Sequence, residues 1–160
     1  MKFSGSAKII ISEAPDISET KEYVPSTPAM LTILGRRLGH SAGLQYNKMF
    51  GVNIIDWGIL KVLNQKSDVS AREFSGILYF DKALISRRIK FLNEAGYVKT
   101  RTCKGNKAKT QSSLTAKGRK LCDKMAYQAE MIARVNFRNL TETEKIALNK
   151  LLAKLLKDAP

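Results

Sequence analysis

The sequence predicts a mainly α-helical fold that carries one small β-hairpin. Apolar residues recur at helical spacing through most of the chain after Met30, and good capping residues precede several of these stretches. Between Gly96 and Thr115 the chain instead alternates around a glycine-containing turn, as two short strands do. The 160 residues suit one domain over 29–160, preceded by an irregular arm over 1–28 that holds three of the four prolines.

The first two helices are predicted from apolar spacing and from one cap. A helix is expected over about 29–50, where Leu31, Leu34 and Leu38 lie on one face. Asn53 is a good N-cap for a second helix, which has an apolar stripe of its own.

Ser70 and Glu73 form a capping box that opens a third, short helix. We expect its inner face to carry three apolar residues, Phe74, Ile77 and Leu78. Tyr79 and Phe80 follow, and they are expected to pack between this helix and the next.

The fourth helix has two distinct faces. Asp81 can cap its start, and Gly96 is suited to the residue just past its end. One face is apolar and is expected to be buried, with Ile85, Ile89 and Leu92. The other face is polar, with Lys82, Ser86, Arg87, Lys90 and Asn93. Its basic part is expected to run through Lys82, Arg87, Arg88 and Lys90.

A hairpin and two helices complete the chain. Strands are predicted over 97–101 and 110–114, with a turn over 104–107. Thr115 can cap a long helix, and a second capping box over 141–144 opens the last one. That last helix has a leucine stripe, so it must dock on an apolar partner.

The charge of the chain favours an anionic partner. Lys and Arg number 28 against 14 Asp and Glu, which gives a formal net charge of +14. No acidic residue occurs between Glu94 and Asp123, a window that holds eight Lys or Arg. A charge run by itself is usually a solvated face, and a membrane surface is another anionic partner. Here the run continues the basic face of the fourth helix, and the combination favours nucleic acid.

Helix, short turn, helix and β-hairpin over about 53–114 form a winged helix-turn-helix. The second helix of the pair can enter the major groove, and the hairpin, or wing, can reach a neighbouring minor groove. The predicted DNA-binding residues are Ser70, Arg72, Lys82, Ser86, Arg87, Lys90, Lys104, Asn106, Lys107 and Lys109.

The sequence argues against an enzyme or a metalloprotein. It has one histidine and no phosphate loop, dinucleotide glycine motif or nucleophile elbow. Cys103 and Cys122 lack the spacing of a zinc site or a disulfide framework, so we expect no metal or other cofactor and a cytoplasmic location. Cys122 is expected to be buried. Cys103 is expected to be structural, although Arg101 and Lys104 beside it would favour a reactive thiolate.

Several segments resemble the MarR family of bacterial transcriptional regulators. The resemblance covers about 30–159. Its most specific part is Asp81–Val98, which is similar to the recognition helix of the family, with a Ser-Arg pair and a Gly-apolar-Val exit. Leu114–Arg119 is similar to the family's Leu-Thr-x-x-Gly motif, and Asn53–Leu60 and Leu140–Glu144 resemble the starts of its second and last helices.

The resemblance implies a homodimer that binds double-stranded DNA, most often a repressor released by a small aromatic or carboxylate effector. In the family the N- and C-terminal helices, here about 29–50 and 115–159, form the dimer base. The implied interface residues are Leu31, Leu34, Leu38, Leu148, Leu152 and Leu155. The family's ligand cleft would involve His40, Tyr46 and Trp57, although core packing for Trp57 and a surface or interface position for His40 are the simpler interpretations.

The wing tip departs from the family pattern. The family usually has Asp-Arg-Arg where this chain has Asn106, Lys107 and Ala108. Lysine is a point charge on a flexible stem, and asparagine cannot hold it with an ion pair. The wing is therefore expected to supply charge more than sequence reading. This leaves open a second function, that of a basic architectural or non-specific nucleic-acid-binding protein.

Overall fold

The computed structural model describes the backbone of residues 25–103 and 106–158, and their side chains except at 103, 106–109 and 158. These residues form six helices and three strands. In chain order the elements are α1 (Thr27–Phe50), α2 (Ile54–Gln65), β1 (Val69–Ser70), α3 (Ala71–Leu78), α4 (Lys82–Glu94), β2 (Val98–Cys103), β3 (Asn106–Leu114), α5 (Ala116–Asn136) and α6 (Glu142–Asp158). The predicted fold class, mainly helical with a hairpin wing, is confirmed.

The first helix begins earlier than the predicted boundary of the arm. Ser26 precedes it, and Pro28 lies in its first turn. Proline is tolerated there because the first-turn N–H groups have no partner within the helix. The expectation that 27 and 28 belong to the arm is therefore wrong, while residues 1–24 lie outside the described part of the chain. The helix ends at Phe50, and the left-handed φ of 68° at its C-cap, Gly51, suits glycine.

The sheet has one strand that the sequence analysis missed. Its order is β1-β3-β2, and both pairings are antiparallel. Val69 pairs with Ser112, and Ser70 with Gln111. A strand of two residues is too short to show an alternating pattern, so only its partner reveals it. The two wing strands are also longer than predicted, with an irregularity between Thr102 and Cys103.

The chain divides into two compact units after Met125. In the first unit, α2, α3, α4 and the sheet share one core, in which the largest fully buried apolar side chains are Phe74, Ile59, Leu60, Ile85, Leu92, Met125, Val52, Val69 and Val98. Cys122 is buried as predicted, and its thiol donates to the carbonyl of Leu60 at 3.3 Å. Burial, with a smaller contribution from Asp123, raises the pKa of that thiol to about 11.

The second unit contains the end of α5 and the whole of α6. The predicted capping box before α6 is confirmed. The Thr141 N–H and hydroxyl both donate to Oε2 of Glu144, at 2.7 and 2.8 Å, and the Glu144 N–H donates back to the hydroxyl at 3.3 Å. These bonds lower the pKa of the Glu144 carboxyl. The expectation of a single domain over 29–160 stays a prediction.

Candidate nucleic-acid interface

Local caps fix the start of the helix-turn-helix. The Ser70 N–H donates to Oε2 of Glu73 at 2.9 Å, and the Glu73 N–H donates to the Ser70 hydroxyl at 3.3 Å. The backbone and hydroxyl bonds from Ser70, followed by that from Lys66, lower the pKa of Glu73 to about 2. The predicted capping box is confirmed. The buried Ser70 hydroxyl itself donates to Glu73 at 2.7 Å, and the DNA contact expected of Ser70 stays a prediction.

The turn between α3 and α4 differs from the prediction. Tyr79 is the C-cap of α3, with a left-handed φ of 55°, and the residue is 72% exposed. Phe80 and Ile77 are also exposed, so the expectations that Tyr79 and Phe80 pack between the helices, and that Ile77 lies on the inner face, are wrong. Phe74 is the one fully buried residue of α3, and Tyr79 and Phe80 lie beyond the end of that helix, where the backbone of Tyr79 is left-handed. Asp81 then caps α4, as its carboxylate accepts the Leu84 N–H at 2.8 Å.

The fourth helix has the two faces that the sequence predicts. Ile85, Ile89 and Leu92 are buried in the shared core. The predicted contacts Lys82, Ser86, Arg87 and Lys90 are all exposed, as is Arg72 in the first turn of α3. Lys90 lies 3.9 Å from Glu94, a loose surface pair that leaves its charge available. One helix thus presents three cations and a hydroxyl to solvent.

Arg88 does not lie on this exposed face, and its expected place there is wrong. Its Nε donates to Oδ1 of Asp56 at 2.7 Å, and its Nη2 pairs with Oδ2 of the same carboxylate. Asp56 is completely buried and also accepts the Asn53 N–H at 2.8 Å. Spacing could have revealed this, because Arg88 stands three residues after Ile85 and four before Leu92, both of which are buried.

An ion pair outside the tip adds to the strand pairing that joins the wing to β1. Arg101 of β2 lies 2.9 Å from Asp68, which immediately precedes β1. Neither residue was singled out as a site from sequence. Of the predicted tip contacts, Lys104 lies outside the described residues. Asn106, Lys107 and Lys109 belong to β3, but their side chains also lie outside the description, as does that of Cys103.

A cleft of about 440 Å³ lies between the exposed face of α4 and the wing. Its lining includes Ser86 and Lys90 from α4 and Thr100, Thr110 and Ser112 from the wing strands. On one wall the Asn93 amide donates to the Thr100 hydroxyl at 2.9 Å, which ties the helix to the wing. The helix and the wing are therefore positioned to approach one partner together.

The segment that resembles the Leu-Thr-x-x-Gly motif joins the wing to α5. The Thr115 hydroxyl donates to the Gly96 carbonyl at 2.7 Å and accepts the Gly118 N–H at 3.0 Å. A Cβ at Gly118 would lie 2.0 Å from the Tyr97 carbonyl oxygen, so only glycine fits. Lys117 also donates to the Ala95 carbonyl at 2.8 Å. The start of α5 is thereby fixed directly on the exit of α4.

Two of the three predicted ligand residues lie together. The rings of Tyr46 and Trp57 are 6.1 Å apart and tilted by 57°, which places α1 against the start of α2. Burial raises the pKa of Tyr46. His40 is exposed, and because it precedes Tyr46 by six residues it lies on a different side of α1. The ligand role of all three stays a prediction.

The predicted dimer residues lie on two helices with exposed apolar faces. On α1, Leu31 and Leu34 are exposed and Leu38 is half-buried. On α6, Leu148 and Leu152 are half-buried and Leu155 is 55% exposed. The lining of a cleft within the second unit includes Leu148 and Leu152 together with Phe137.

Within the described part of the chain, no group of three or more His, Cys, Asp or Glu side chains could hold a metal ion. Nor does any helix of that part combine the length and the apolar character needed to cross a membrane.

Comparisons with known proteins agree with this geometry. The family profile described as winged helix DNA-binding domain matches residues 55–135. A MarR/EmrR family transcriptional regulator from Acinetobacter sp. ADP1 is 30% identical, with a TM-score of 0.72 over 81% of this chain and 92% of its own. A mutant MarR from E. coli, solved in complex with operator DNA, is 18% identical, with a TM-score of 0.70 over 79% of this chain and 91% of its own.

The PcaV regulator from Streptomyces coelicolor, solved in complex with its natural ligand, also has this fold. It is 16% identical, with a TM-score of 0.70 over 87% of this chain and 100% of its own. A search of the curated proteins found no match.

Proposed function

The chain belongs to the MarR family of transcriptional regulators, and we propose that it is a dimeric, sequence-specific repressor whose DNA binding is relieved by a small-molecule effector. The observation that carries the proposal is the exposed face of α4, where Lys82, Ser86 and Arg87 lie opposite the buried apolar residues. A major groove admits such a helix, and an arginine can read guanine with two hydrogen bonds. The relative that was solved with operator DNA supports this use of the fold.

The wing and the first turn of α3 complete the proposed surface. Arg72 and the wing cations Lys104, Lys107 and Lys109 would contact phosphates, which fixes the position of the protein on the duplex without reading sequence. Asn106 belongs to the same proposed tip. Phosphate contacts release counterions, so we expect affinity to fall steeply as salt rises.

The test begins with selection of a preferred sequence by the wild-type protein from a random pool of duplex DNA. Arg87→Ala should then weaken binding to the selected sequence by about 1–3 kcal/mol, while random DNA is affected less. Lys61→Ala, at an exposed lysine of α2, is the matched control and should change neither affinity. If Arg87→Ala left the affinity for the selected sequence unchanged, α4 would not be the reading helix.

The second copy is proposed to cover the apolar faces of α1 and α6. Leu31, Leu34 and Leu155 are exposed in the single chain, and exposed apolar patches of this kind mark interaction sites. Leu155→Asp would place an unpaired charge in the proposed interface, so the variant should sediment as a monomer and bind the operator weakly. Ala153→Asp introduces the same charge at a nearby exposed position and is the control. A Leu155→Asp protein that stays dimeric would contradict this interface.

An effector is proposed to act next to Tyr46 and Trp57. The relative that was solved with its natural ligand supports a ligand-responsive member. Trp57 is the one tryptophan in the sequence, so its fluorescence reports this region specifically. Titration with small aromatic carboxylates should change the emission and should also weaken operator binding. Both effects should give the same dissociation constant for the carboxylate. Compounds that change neither signal would argue against an effector here.

The net charge of +14 supports a second function, non-specific or architectural DNA binding. The ratio of affinities for selected and random DNA at one salt concentration separates the two. A regulator of this kind typically shows a ratio of about 10³ or more, whereas an architectural protein shows a ratio near one. The expectation that the chain is not an enzyme stays a prediction.

A further inference from the structure

The Asp56 carboxylate is a buried charge with a complete set of partners. It is the third residue of α2, it is fully buried, and it accepts the Asn53 N–H at the start of that helix. A buried carboxylate without a cation would strongly destabilise the fold. The cation comes from the recognition helix α4, 32 residues further along the chain.

The Arg88 guanidinium makes three contacts within the protein. Two are the parallel bonds to Asp56, a fork geometry that fixes both distance and orientation. The third is with Phe91, as its Cζ lies 4.4 Å from the centre of that ring. The Arg88 side chain is only 24% exposed. Arg88 thus differs from its exposed neighbour Arg87, although both are arginines on one turn of α4.

We propose that Arg88, held by Asp56, is a positioning residue that sets how α4 presents Arg87 to the bases. This inference rests on the proposed function, because it concerns how the same helix selects its DNA sequence. A base contact with two hydrogen bonds tolerates a misplacement of only about 0.5 Å, whereas a phosphate contact tolerates more. Loss of the Asp56–Arg88 link therefore reduces sequence selectivity while general affinity for DNA persists.

The test compares three variants with the wild-type protein. Arg88→Met keeps an unbranched apolar chain out to about the position of Nε and removes the guanidinium. Asp56→Asn keeps an oxygen that can accept the Asn53 N–H. The double variant contains neither buried charge, so it avoids the unpaired carboxylate that Arg88→Met creates. Each protein is measured for thermal unfolding and for affinity to the wild-type selected sequence and to random DNA across one salt series.

We expect Arg88→Met to lower the ratio of selected to random affinity by about tenfold, the effect of one displaced base contact. The slope of log affinity against log salt should stay unchanged, because Arg88 binds no phosphate. The double variant should recover much of the Tm that Arg88→Met loses, but its ratio should stay low. A Tm that recovers while the affinity ratio stays low would show that Arg88 positions α4 and does not only stabilise the fold.

Two results would overturn the inference. A slope that is smaller in magnitude by about 0.9 in Arg88→Met would make Arg88 a phosphate contact. A double variant that recovers the affinity ratio together with its Tm would make the pair a stability element only. Failure of the proposed function can be distinguished from failure of this inference. In that case the wild-type protein itself would select no sequence or bind no DNA, before any variant is made.

Discussion

The Asp68 carboxylate lies 2.9 Å from the guanidinium of Arg101, across the central strand of the three-stranded sheet. Asp68 adopts a left-handed φ of 61°, a conformation that aspartate tolerates better than most residues. The sequence suggested that the wing has no carboxylate to hold its cations, and the hairpin itself contains none. The acidic partner comes instead from the residue before β1. Arg101 therefore has a carboxylate beside it, although this ion pair lies outside the wing tip.

Arg101→Gln should weaken DNA binding while it lowers the free energy of unfolding only slightly. The pair is largely exposed, so its loss should cost only about 0.2–1 kcal/mol of unfolding free energy in urea titrations. If Arg101 contacts a phosphate, the salt slope should fall in magnitude by about 0.9. Lys61→Gln removes the same charge from α2 and should leave that slope unchanged. Equal slopes in Arg101→Gln and wild type would show that Arg101 only attaches the wing.

Gly118→Ala and Gly76→Ala should change stability in opposite directions. Alanine favours a helix over glycine by about 0.5–1 kcal/mol. Gly76 has open space around the position of a Cβ, so Gly76→Ala should stabilise by about that amount. At Gly118 the Cβ would lie 2.0 Å from a backbone oxygen, and Gly118→Ala should destabilise by about 1–3 kcal/mol or more. Urea unfolding of both variants checks this, and stabilisation by Gly118→Ala would contradict the close contact.

Tyr79→Gly should stabilise the protein. A left-handed conformation costs a non-glycine residue about 1–2 kcal/mol, and the exposed Tyr79 ring contributes little packing in return. After allowance for the extra freedom of glycine in the unfolded chain, we expect a gain of about 0.5–1 kcal/mol. Tyr127 is similarly exposed but helical, so Tyr127→Gly should destabilise. A lower Tm for Tyr79→Gly would mean that its ring has a partner in the assembled protein.

The stabilising contribution of Glu73 should be lost in acid. Its pKa is about 2 in the fold, against 4.5 for the ordinary group, so its contribution is present above about pH 4.5 and is lost as pH falls towards 2. The gap in unfolding free energy between wild type and Glu73→Gln should therefore narrow between pH 5 and pH 2.5. Lys66→Met should keep most of this pH dependence, because the bonds from Ser70 are the larger cause. A gap that is constant across this range would show that the pKa is not lowered.

Local features of the fold could be predicted from the sequence alone. The caps at Asn53, Ser70, Asp81 and Thr141 each form a hydrogen bond to a residue three positions away. Such bonds depend only on the neighbouring sequence, and so does the division of α4 into a buried and an exposed face. Together with the predicted hairpin, these features indicated the winged helix and placed Lys82, Ser86, Arg87 and Lys90 correctly on the solvent side of α4, although not Arg88.

The tertiary structure decided which residues that are distant in sequence contact one another. Arg87 and Arg88 are adjacent and chemically identical in the sequence, yet one is exposed and the other binds a buried carboxylate on α2. The strand β1 and the pairing of Arg101 with Asp68 likewise exist only once the sheet has formed. Periodicity fixes the face on which a residue lies, but the partner on that face depends on how separate elements pack, because a charge is buried only where packing supplies its counter-ion.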